Sequence, residues 1–284
     1  MQWLYFSVGA VITLTSINLL QRVLAVRSKN TRAVSFVFNF FAATISVIYL
    51  GLSGKLFNLN LSVPGIAWIY LFIAVFMYAI FERYKFKASK LIDASVYSTV
   101  LNISVLIAFL GSIFLYSESL TLAKLTGGSL VLLALFLVSQ GKKSKKHLSL
   151  RGIMYTVGIA VALGFGWLLD KKGAMYFSPI TYNFFVWLLP LPIIFFPYIK
   201  IKDLVDEFKI SSWKIIILSA LNILGYMLQL KALEIQEATK VIPIIQTTAL
   251  FTALFGILVL KERENIGRKI IAAIIALAGV FMLI

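Results

Sequence analysis

The chain has 284 residues, of which 61% are hydrophobic and 13% are charged, and its mean hydropathy is +0.95. A soluble domain is roughly 45–50% apolar, so this composition excludes a water-soluble globular protein and indicates a polytopic membrane protein. The formal net charge of +16 would suit a nucleic-acid-binding protein, but the basic residues cluster in the joints between apolar segments, and we therefore expect no nucleic-acid partner.

Apolar segments near the length that crosses a bilayer, about 20 residues, recur along the chain. We predict them as helices because lipid offers backbone groups no hydrogen-bond partner. In chain order they lie at about 3–21, 33–51, 64–81, 93–115, 122–139, 152–169, 179–199, 214–230, 238–260 and 268–284. The sequence thus predicts an all-α fold with ten transmembrane helices.

An internal repeat divides these helices into two groups of five. KASKLIDAS at 87–95 matches KALEIQEAT at 231–239, an offset of 144 residues. The same offset pairs polar residues of the two halves: Asn39 with Asn183, Asn102 with Gln246, and Glu118 with Glu262. We therefore predict a tandem duplication with repeats at 1–141 and 142–284. Because each half holds an odd number of helices, the second copy is inverted in the membrane, as in many secondary transporters.

The repeat also carries a resemblance to a known family. A small residue (Ala94, Ala238) opens a helix, a glutamate follows in YSESLT and LKERENI, and a small-residue-rich helix comes last, TGGSLVLLALFLV and IIAAIIALAGVFML. This pattern resembles the EamA-type transporters of the drug/metabolite transporter superfamily over essentially the whole chain. The resemblance implies ten helices around a central cavity, alternating access, and export or exchange of small metabolites.

The distribution of basic residues predicts an orientation in the cell membrane. Of the 27 lysines and arginines, 21 lie in the odd-numbered joints between the predicted helices. By the positive-inside rule these joints are cytoplasmic and both termini face outward. The resemblance implies cytoplasmic termini instead, so both orientations stay open.

We expect this chain not to be an enzyme, because we find no nucleophile with a base, no metal cluster and no paired carboxylates in the predicted helices. The one histidine, His147, lies in the basic joint GKKSKKHLSLR and is interpreted as a solvated residue. The carboxylates considered are placed at helix ends: Asp93, Asp170, Glu118, Glu237 and Glu262. Without a carboxylate inside the helices, proton-coupled export of lipophilic cations is disfavoured. No cofactor and no metal are expected.

Polar residues inside apolar helices point to a candidate site, because each needs a partner in the bundle or a watery cavity. The substrate-binding candidates are Asn18, Asn102, Trp167, Gln229, Lys240, Gln246 and Thr247. Candidates for repeat architecture or gating are Asn39, Asn183, Glu118, Glu262 and Pro243. The alternative for the carboxamides is hydrogen bonding between helices. Lys240 either captures a carboxylate or phosphate, or it snorkels to the interface or pairs with Glu237.

The leading prediction is a secondary transporter of a small organic metabolite, such as an amino acid or another carboxylate, acting by alternating access. The alternatives are a nucleotide-sugar or lipid-linked carrier and a membrane scaffold subunit without transport. The sequence has no GxxxxGK[ST] loop, so this chain alone does not hydrolyse ATP through such a motif. The expected partners are the solute and the lipid bilayer, and monomer or homodimer is left open.

Overall fold

The computed structural model describes residues 1–25, 28–57, 59, 61–92, 94–140, 149–259 and 265–284, and its regular elements are helices. In chain order these are α1 (Gln2–Ala25), α2 (Thr31–Leu52), α3 (Gly65–Leu91), α4 (Ala94–Leu101), α5 (Ile103–Tyr116), α6 (Leu122–Ser139), α7 (Leu150–Phe177), α8 (Pro179–Leu188), α9 (Leu191–Phe195), α10 (Ile201–Ser211), α11 (Lys214–Ile235), α12 (Ala238–Gln246), α13 (Thr248–Val259) and α14 (Ile266–Leu283).

Within the described ranges, nine helical segments are long and apolar enough to cross a membrane. Two of them join shorter helices, because α4 with α5 forms one span and α12 with α13 forms another. The seventh predicted segment is a shorter apolar stretch, Pro179–Phe195. It is interrupted between α8 and α9 at Pro190, whose missing N–H weakens helix continuity. The all-helical, polytopic membrane fold is thus confirmed.

Helix bounds differ from the prediction where charged residues follow an apolar segment. The third segment was predicted at 64–81, yet α3 continues to Leu91; the sixth was predicted at 152–169, yet α7 continues to Phe177. The predicted joint at 200–214 contains α10, whose Glu207 is buried and accepts hydrogen bonds from the backbone N–H groups of Lys29 and Asn30 at 2.7 and 2.5 Å. These helices continue because tertiary partners neutralise their polar groups.

The helices pack in pairs that correspond when the two halves are exchanged. The most extensive contacts join α3 to α7, α1 to α11 and α6 to α14. The first two pairs are equivalent, because each joins the third helix of one half to the first helix of the other. The last pair joins the fifth helices of both halves. A two-fold relation between the halves would produce this pattern, and the repeat boundary at 141/142 stays a prediction.

Small residues permit the closest of these contacts. A Cβ atom added to Gly127 in α6 would lie 2.8 Å from the carbonyl oxygen of Gly279 in α14, and the converse distance is also 2.8 Å. Small residues at such crossings let membrane helices approach through van der Waals contact. The apolar core forms two clusters, one around α2, α3, α8 and α11 and one around α5, α6, α12 and α14, and Trp167 packs against both.

Candidate functional site

The centre of the candidate site is a carboxylate in α7, Asp170, whose exposed fraction is 0%. Its Oδ1 accepts a hydrogen bond from the hydroxyl of Tyr226 at 2.7 Å. Its Oδ2 accepts one from the hydroxyl of Tyr78 at 2.6 Å and one from Nε2 of Gln229 at 3.3 Å. The donors come from α3 in the first half and α11 in the second. Asp170 therefore ties the two halves together inside the bundle.

Two glycines on the same face of α7 create the space for this arrangement. Gly166 and Gly173 lie four residues before and three residues after Asp170, on one face of the helix. A Cβ atom at Gly166 would lie 2.9 Å from the ring of Tyr78, and one at Gly173 would lie 2.0 Å from the ring of Tyr182. Only glycine admits the two tyrosine rings this close to the helix. The sequence of α7 thus places aromatic hydroxyl groups beside the carboxylate.

Neutral donors hold the carboxylate, and no described lysine or arginine lies within salt-bridge distance of it. The neighbouring Lys171 bonds to Glu118 instead, at 2.8 Å. The titratable groups that face Asp170 are tyrosines: Tyr78 of α3, Tyr226 of α11, Tyr182 of α8 and, at longer range, Tyr116 of α5. Helices α4 and α12 contribute none to its described interactions. In all three bonds Asp170 is the acceptor, an arrangement that an ionised carboxylate can satisfy.

The placement of Asp170 corrects the sequence prediction. Asp170 was expected at a helix end, whereas the argument against proton-coupled export of lipophilic cations concerned the first helix above all, and α1 indeed carries no carboxylate. Because α7 continues to Phe177, Asp170 lies within the helix and is fully buried. The prediction named Gln229 but missed Tyr78, Tyr182 and Tyr226. The spacing of Gly166, Asp170 and Gly173 is the sequence signal that could have indicated a packed polar face.

A second polar cluster joins the halves at Glu118, between α5 and α6. Its carboxylate accepts hydrogen bonds from Nζ of Lys171 and from the backbone N–H of Ala238, both at 2.8 Å. It also accepts bonds from the N–H and hydroxyl of Thr239 at 2.9 and 2.7 Å. Ala238 and Thr239 open α12, so the carboxylate occupies a helix N-terminus, where the helix dipole favours negative charge.

These bonds set the ionisation of Glu118. Burial by itself raises its pKa, but the hydrogen bonds from Lys171, Thr239 and Ala238 outweigh burial, and the pKa lies below its ordinary value. Glu118 is therefore an anion held by a cation and by the start of α12. Its predicted counterpart Glu262 lies outside the described residues.

The repeat pair of Asn102 and Gln246 falls where two membrane-spanning helices change their hydrogen bonding. Asn102 separates α4 from α5, and Gln246 ends α12 immediately before Thr247. At both places a backbone bond spans three residues, from Val105 to Asn102 at 3.1 Å and from Leu250 to Thr247 at 2.9 Å, beside a bond to the same carbonyl that spans four. Such tighter turns within a helix often mark hinges. Both carboxamide residues are half-buried.

Comparisons with known proteins give a family match over the second half of the chain and a structural match over nearly all of it. A family model described as the EamA-like transporter family matches residues 150–284. The second half of the chain is therefore similar to the EamA-like transporter family. One solved structure, titled only "Crystal structure of protein", matches with a TM-score of 0.71 at 12% identity, covering 98% of this chain and 94% of that chain. That likeness shows a shared fold. No curated protein matches the sequence.

Over residues 150–284 this match agrees with the resemblance on which the sequence prediction relied. The matched family is one of membrane transporters of the drug/metabolite transporter type. The match and the nine apolar spans within the described residues support an integral, multi-pass membrane protein that contacts the lipid bilayer. The family leaves the solute and the transport mechanism unspecified.

Two predicted architectural residues bond between neighbouring helices. Asn39 of α2 donates to Oε2 of Glu82 in α3 at 2.8 Å, and Asn183 of α8 donates to the carbonyl of Ile223 in α11 at 3.2 Å. Both are buried, and both leave their Oδ1 atom without a hydrogen-bond partner. In each half, the repeat asparagine therefore joins the second helix to the third.

The remaining predicted site residues are spread over the second core cluster. Asn18 donates to the hydroxyl of Thr252 at 3.3 Å, which joins α1 to α13. Thr247 is buried and donates to Ile244 of its own segment at 2.6 Å. Lys240 is half-buried and does not pair with Glu237, which binds Lys124 at 2.7 Å. Pro243 is buried inside α12. Of the predicted substrate-binding residues, the structure brings only Gln229 into a described hydrogen bond with Asp170.

Proposed function

We propose that this chain is a secondary transporter that moves a small organic metabolite by alternating access between two inverted repeats, and that Asp170 carries a proton coupled to this movement. The single observation that supports the proposal is a fully buried carboxylate among membrane helices with only neutral donors around it. Ionisable groups inside a membrane are costly and usually mark ion pathways or proton relays.

Protonation would change the hydrogen bonds around Asp170 in a defined way. An ionised carboxylate accepts from Tyr78, Tyr226 and Gln229 at once, whereas a protonated carboxyl also donates and has fewer acceptor sites. One tyrosine must then lose its acceptor. The hydroxyl of Tyr182 is buried without a hydrogen-bond partner and lies close to the carboxylate, so it offers an alternative partner. The cluster therefore supports two arrangements.

These two arrangements would differ in the contact between the halves. Tyr78 lies on α3 in the first half, and Asp170 lies on α7 in the second. A proton on Asp170 weakens the bond between them and lowers the cost of separating α3 from α7. A ligand shifts a conformational equilibrium by its differential affinity for the two states. In this mechanism the proton is such a ligand, and Asn102 and Thr247 are the turns at which α4–α5 and α12–α13 bend.

The solute in this proposal is an amino acid or another small carboxylate. Lys240 is half-buried in α12, and none of the described carboxylates lies within salt-bridge distance of its ammonium. Gln246, at the end of the same helix, supplies an amide that both donates and accepts. A cation and an amide on one helix suit a carboxylate with a neighbouring polar group. The basic joints face the cytoplasm in the orientation that we favour.

The experiment has two steps. Thermal unfolding of the detergent-solubilised protein is first measured with amino acids, organic anions, nucleotide sugars and quaternary amines, because a ligand of the native state raises the melting temperature by mass action. Uptake of the stabilising compound into proteoliposomes is then measured with an imposed pH gradient. Exchange of the same compound across the proteoliposome membrane is measured without a gradient. Asp170→Asn is compared with Asp206→Asn, which removes an exposed carboxylate of α10.

The two readouts separate the parts of the proposal. We expect Asp170→Asn to abolish the effect of the pH gradient while exchange continues, and Asp206→Asn to behave like the wild type. Transport that responds equally to the gradient in wild type and Asp170→Asn contradicts the proton role alone. A protein that moves none of the compounds in either assay contradicts the transport proposal.

A further inference from the structure

A polar pocket of about 370 Å³ lies apart from the Asp170 cluster, where the start of α2, the end of α3 and the start of α7 meet. Its volume falls within the range of small-molecule sites, roughly 300–1,000 Å³. The pocket is lined by Asn30, Thr31, Arg32, Arg83, Tyr84, Lys87 and Tyr155. The transport proposal uses none of these residues, and of them only Lys87 belongs to the repeat segment KASKLIDAS.

The charged residues that line this pocket are all basic. Arg32, Arg83 and Lys87 contribute three cations, and its lining contains no carboxylate. Two acidic residues of α10 lie behind Asn30 but are engaged there: Asp203 accepts from its side chain at 3.0 Å, and Glu207 accepts from its backbone N–H. Cations gathered in one pocket without a counter-charge repel one another, so an anion stabilises the arrangement.

The two arginines are held in position by backbone carbonyls. Nη2 of Arg32 donates to the carbonyls of Pro197 and Tyr198, at 2.7 and 3.2 Å. Nη1 of Arg83 donates to the carbonyls of Ile193, at 2.6 Å, and Phe196. These bonds use one terminal nitrogen of each guanidinium, so Nε and the second terminal nitrogen are outside the described bonds. A guanidinium fixed in this way loses little side-chain entropy when an anion binds.

The third cation, Lys87, contacts the aromatic side chain of Tyr155. Nζ of Lys87 donates to the hydroxyl of Tyr155 at 3.1 Å and lies 4.6 Å from the centre of its ring. The ring of Tyr84 lies 5.6 Å from that of Tyr155. Lys87 follows Arg83 by four residues, so both project from one face of α3. The pocket therefore combines two forked donors, one point charge and two phenol groups.

We propose that this pocket binds a phosphate group. The forked arginine donors match the oxygens of a phosphate bidentately. Because the pocket lies at the ends of membrane helices on the face that carries most basic residues, the phosphate of an anionic phospholipid headgroup reaches it. The phosphate of a soluble molecule has the same chemistry. The proposal is independent of what the transporter moves.

The test measures binding to the full-length protein in an uncharged detergent. Native mass spectrometry and the shift in melting temperature are recorded with phosphatidylglycerol, with phosphatidylcholine and with inorganic phosphate, the last against sulfate at equal ionic strength. The variants are Arg83→Gln, Arg32→Gln and Lys87→Gln, and Lys202→Gln removes an exposed cation of α10 outside the pocket. Lys87→Gln leaves the carbonyl bonds of the arginines intact, so it keeps the test informative if the arginine variants unfold.

We expect each pocket variant to weaken binding about tenfold, the effect of losing about 1.4 kcal/mol from a charge-assisted contact, and Lys202→Gln to leave it unchanged. Binding of phosphatidylglycerol without competition by inorganic phosphate assigns the pocket to a lipid headgroup. Binding of inorganic phosphate in preference to sulfate, with the same dependence on the variants, assigns it to a soluble phosphate group. Equal binding by wild type and Lys87→Gln, or an equal loss in Lys202→Gln, overturns the proposal.

Discussion

Two carboxylates are buried among the membrane helices, Glu82 in α3 and Asp170 in α7, and their surroundings differ in charge. The Nζ atom of Lys85 lies 2.8 Å from Oε1 and 2.7 Å from Oε2 of Glu82. The side chain of Asn39 also donates a hydrogen bond to the Glu82 carboxylate, at 2.8 Å. Asp170 receives only neutral donors among its described bonds. The first site is an internally neutral ion pair, whereas the second has no described cation to balance a charge on its carboxylate.

The repeat makes this comparison stronger. At the offset of 144 residues, Tyr226 and Gln229 of α11 stand where Glu82 and Lys85 stand in α3. One half therefore fills these two positions with an ion pair, and the other fills them with neutral donors for a carboxylate on the adjacent helix. A buried ion pair resists a change of protonation, because neutralising one member leaves the other charge buried without a partner. In the proposed mechanism, the absence of such a pair beside Asp170 leaves that carboxylate able to exchange a proton.

The largest effect is expected from breaking the neutral pair. Lys85→Met leaves Glu82 buried without its cation, and Lys85 also lies 4.7 Å from the ring of Phe38. Removing one partner of a buried ion pair typically costs about 3–5 kcal/mol, so the free energy of unfolding, measured by denaturant titration in mixed micelles, falls by that amount. Lys202→Met on the exposed face of α10 is the control. Equal, small losses in both variants would refute a structural role for Glu82.

The next prediction, with a smaller expected effect, tests whether Asp170 is charged in the native state. Tyr226→Phe removes the hydroxyl that donates to Oδ1 at 2.7 Å. Hydrogen bonds to charged groups contribute roughly 1.5–3 kcal/mol, and we expect Tyr226→Phe to lower the free energy of unfolding by that range. In Asp170→Asn the same substitution should cost clearly less, because the acceptor no longer carries a charge. A double-mutant cycle with no coupling between the two positions would show that Asp170 is not ionised in the native state.

A smaller effect is expected from filling the space that admits Tyr182. Gly173→Ala adds a Cβ atom 2.0 Å from that ring, and overpacking of this kind costs roughly 1–3 kcal/mol. Gly158→Ala on the same helix is the matched control, since nothing lies within 4 Å of an added Cβ. There the better helix propensity of alanine should stabilise the protein by up to about 1 kcal/mol. Thermal unfolding that moves in the same direction for both variants would contradict the packing described for Asp170.

The helical fold could be predicted because apolar length is a local property of the sequence. Each predicted apolar segment contains helix in the described ranges, and the seventh is interrupted between α8 and α9. The helix ends could not be predicted where a charged residue finds its partner in three dimensions. Glu82 appeared to end an apolar segment, yet its charge is neutralised by Lys85 inside α3. Likewise DKK at 170–172 appeared to end the sixth segment, although Lys171 reaches Glu118 from another helix.

The candidate site was harder to predict for a related reason. Gln229 was identified because a carboxamide in an apolar helix needs a partner. Tyr78, Tyr182 and Tyr226 were missed because the chain has 12 tyrosines and 23 phenylalanines, and sequence does not indicate which hydroxyl meets a carboxylate. That distinction depends on how α3, α8 and α11 pack around α7, and it follows from the tertiary structure.

The smallest effect concerns Glu118, a paired carboxylate outside the spans that should behave like Glu82 and unlike Asp170. Its pKa lies below its ordinary value of 4.5, because bonds from Lys171, Thr239 and Ala238 outweigh burial. A lowered folded-state pKa adds stability at neutral pH that is lost as the pH falls below about 4.5 toward the folded-state value.

Glu118→Gln should therefore lower the free energy of unfolding by about 1 kcal/mol at neutral pH, as expected for a charge at a helix N-terminus, and the difference from wild type should shrink below pH 4.5. Asp206→Asn, an exposed carboxylate on α10, is the control. A difference between wild type and Glu118→Gln that stays constant down to low pH would mean that the contact of Glu118 with α12 does not depend on its charge. Glu118 would then position α12 by shape alone, and the contrast between balanced and unbalanced carboxylates would hold only for Glu82 and Asp170.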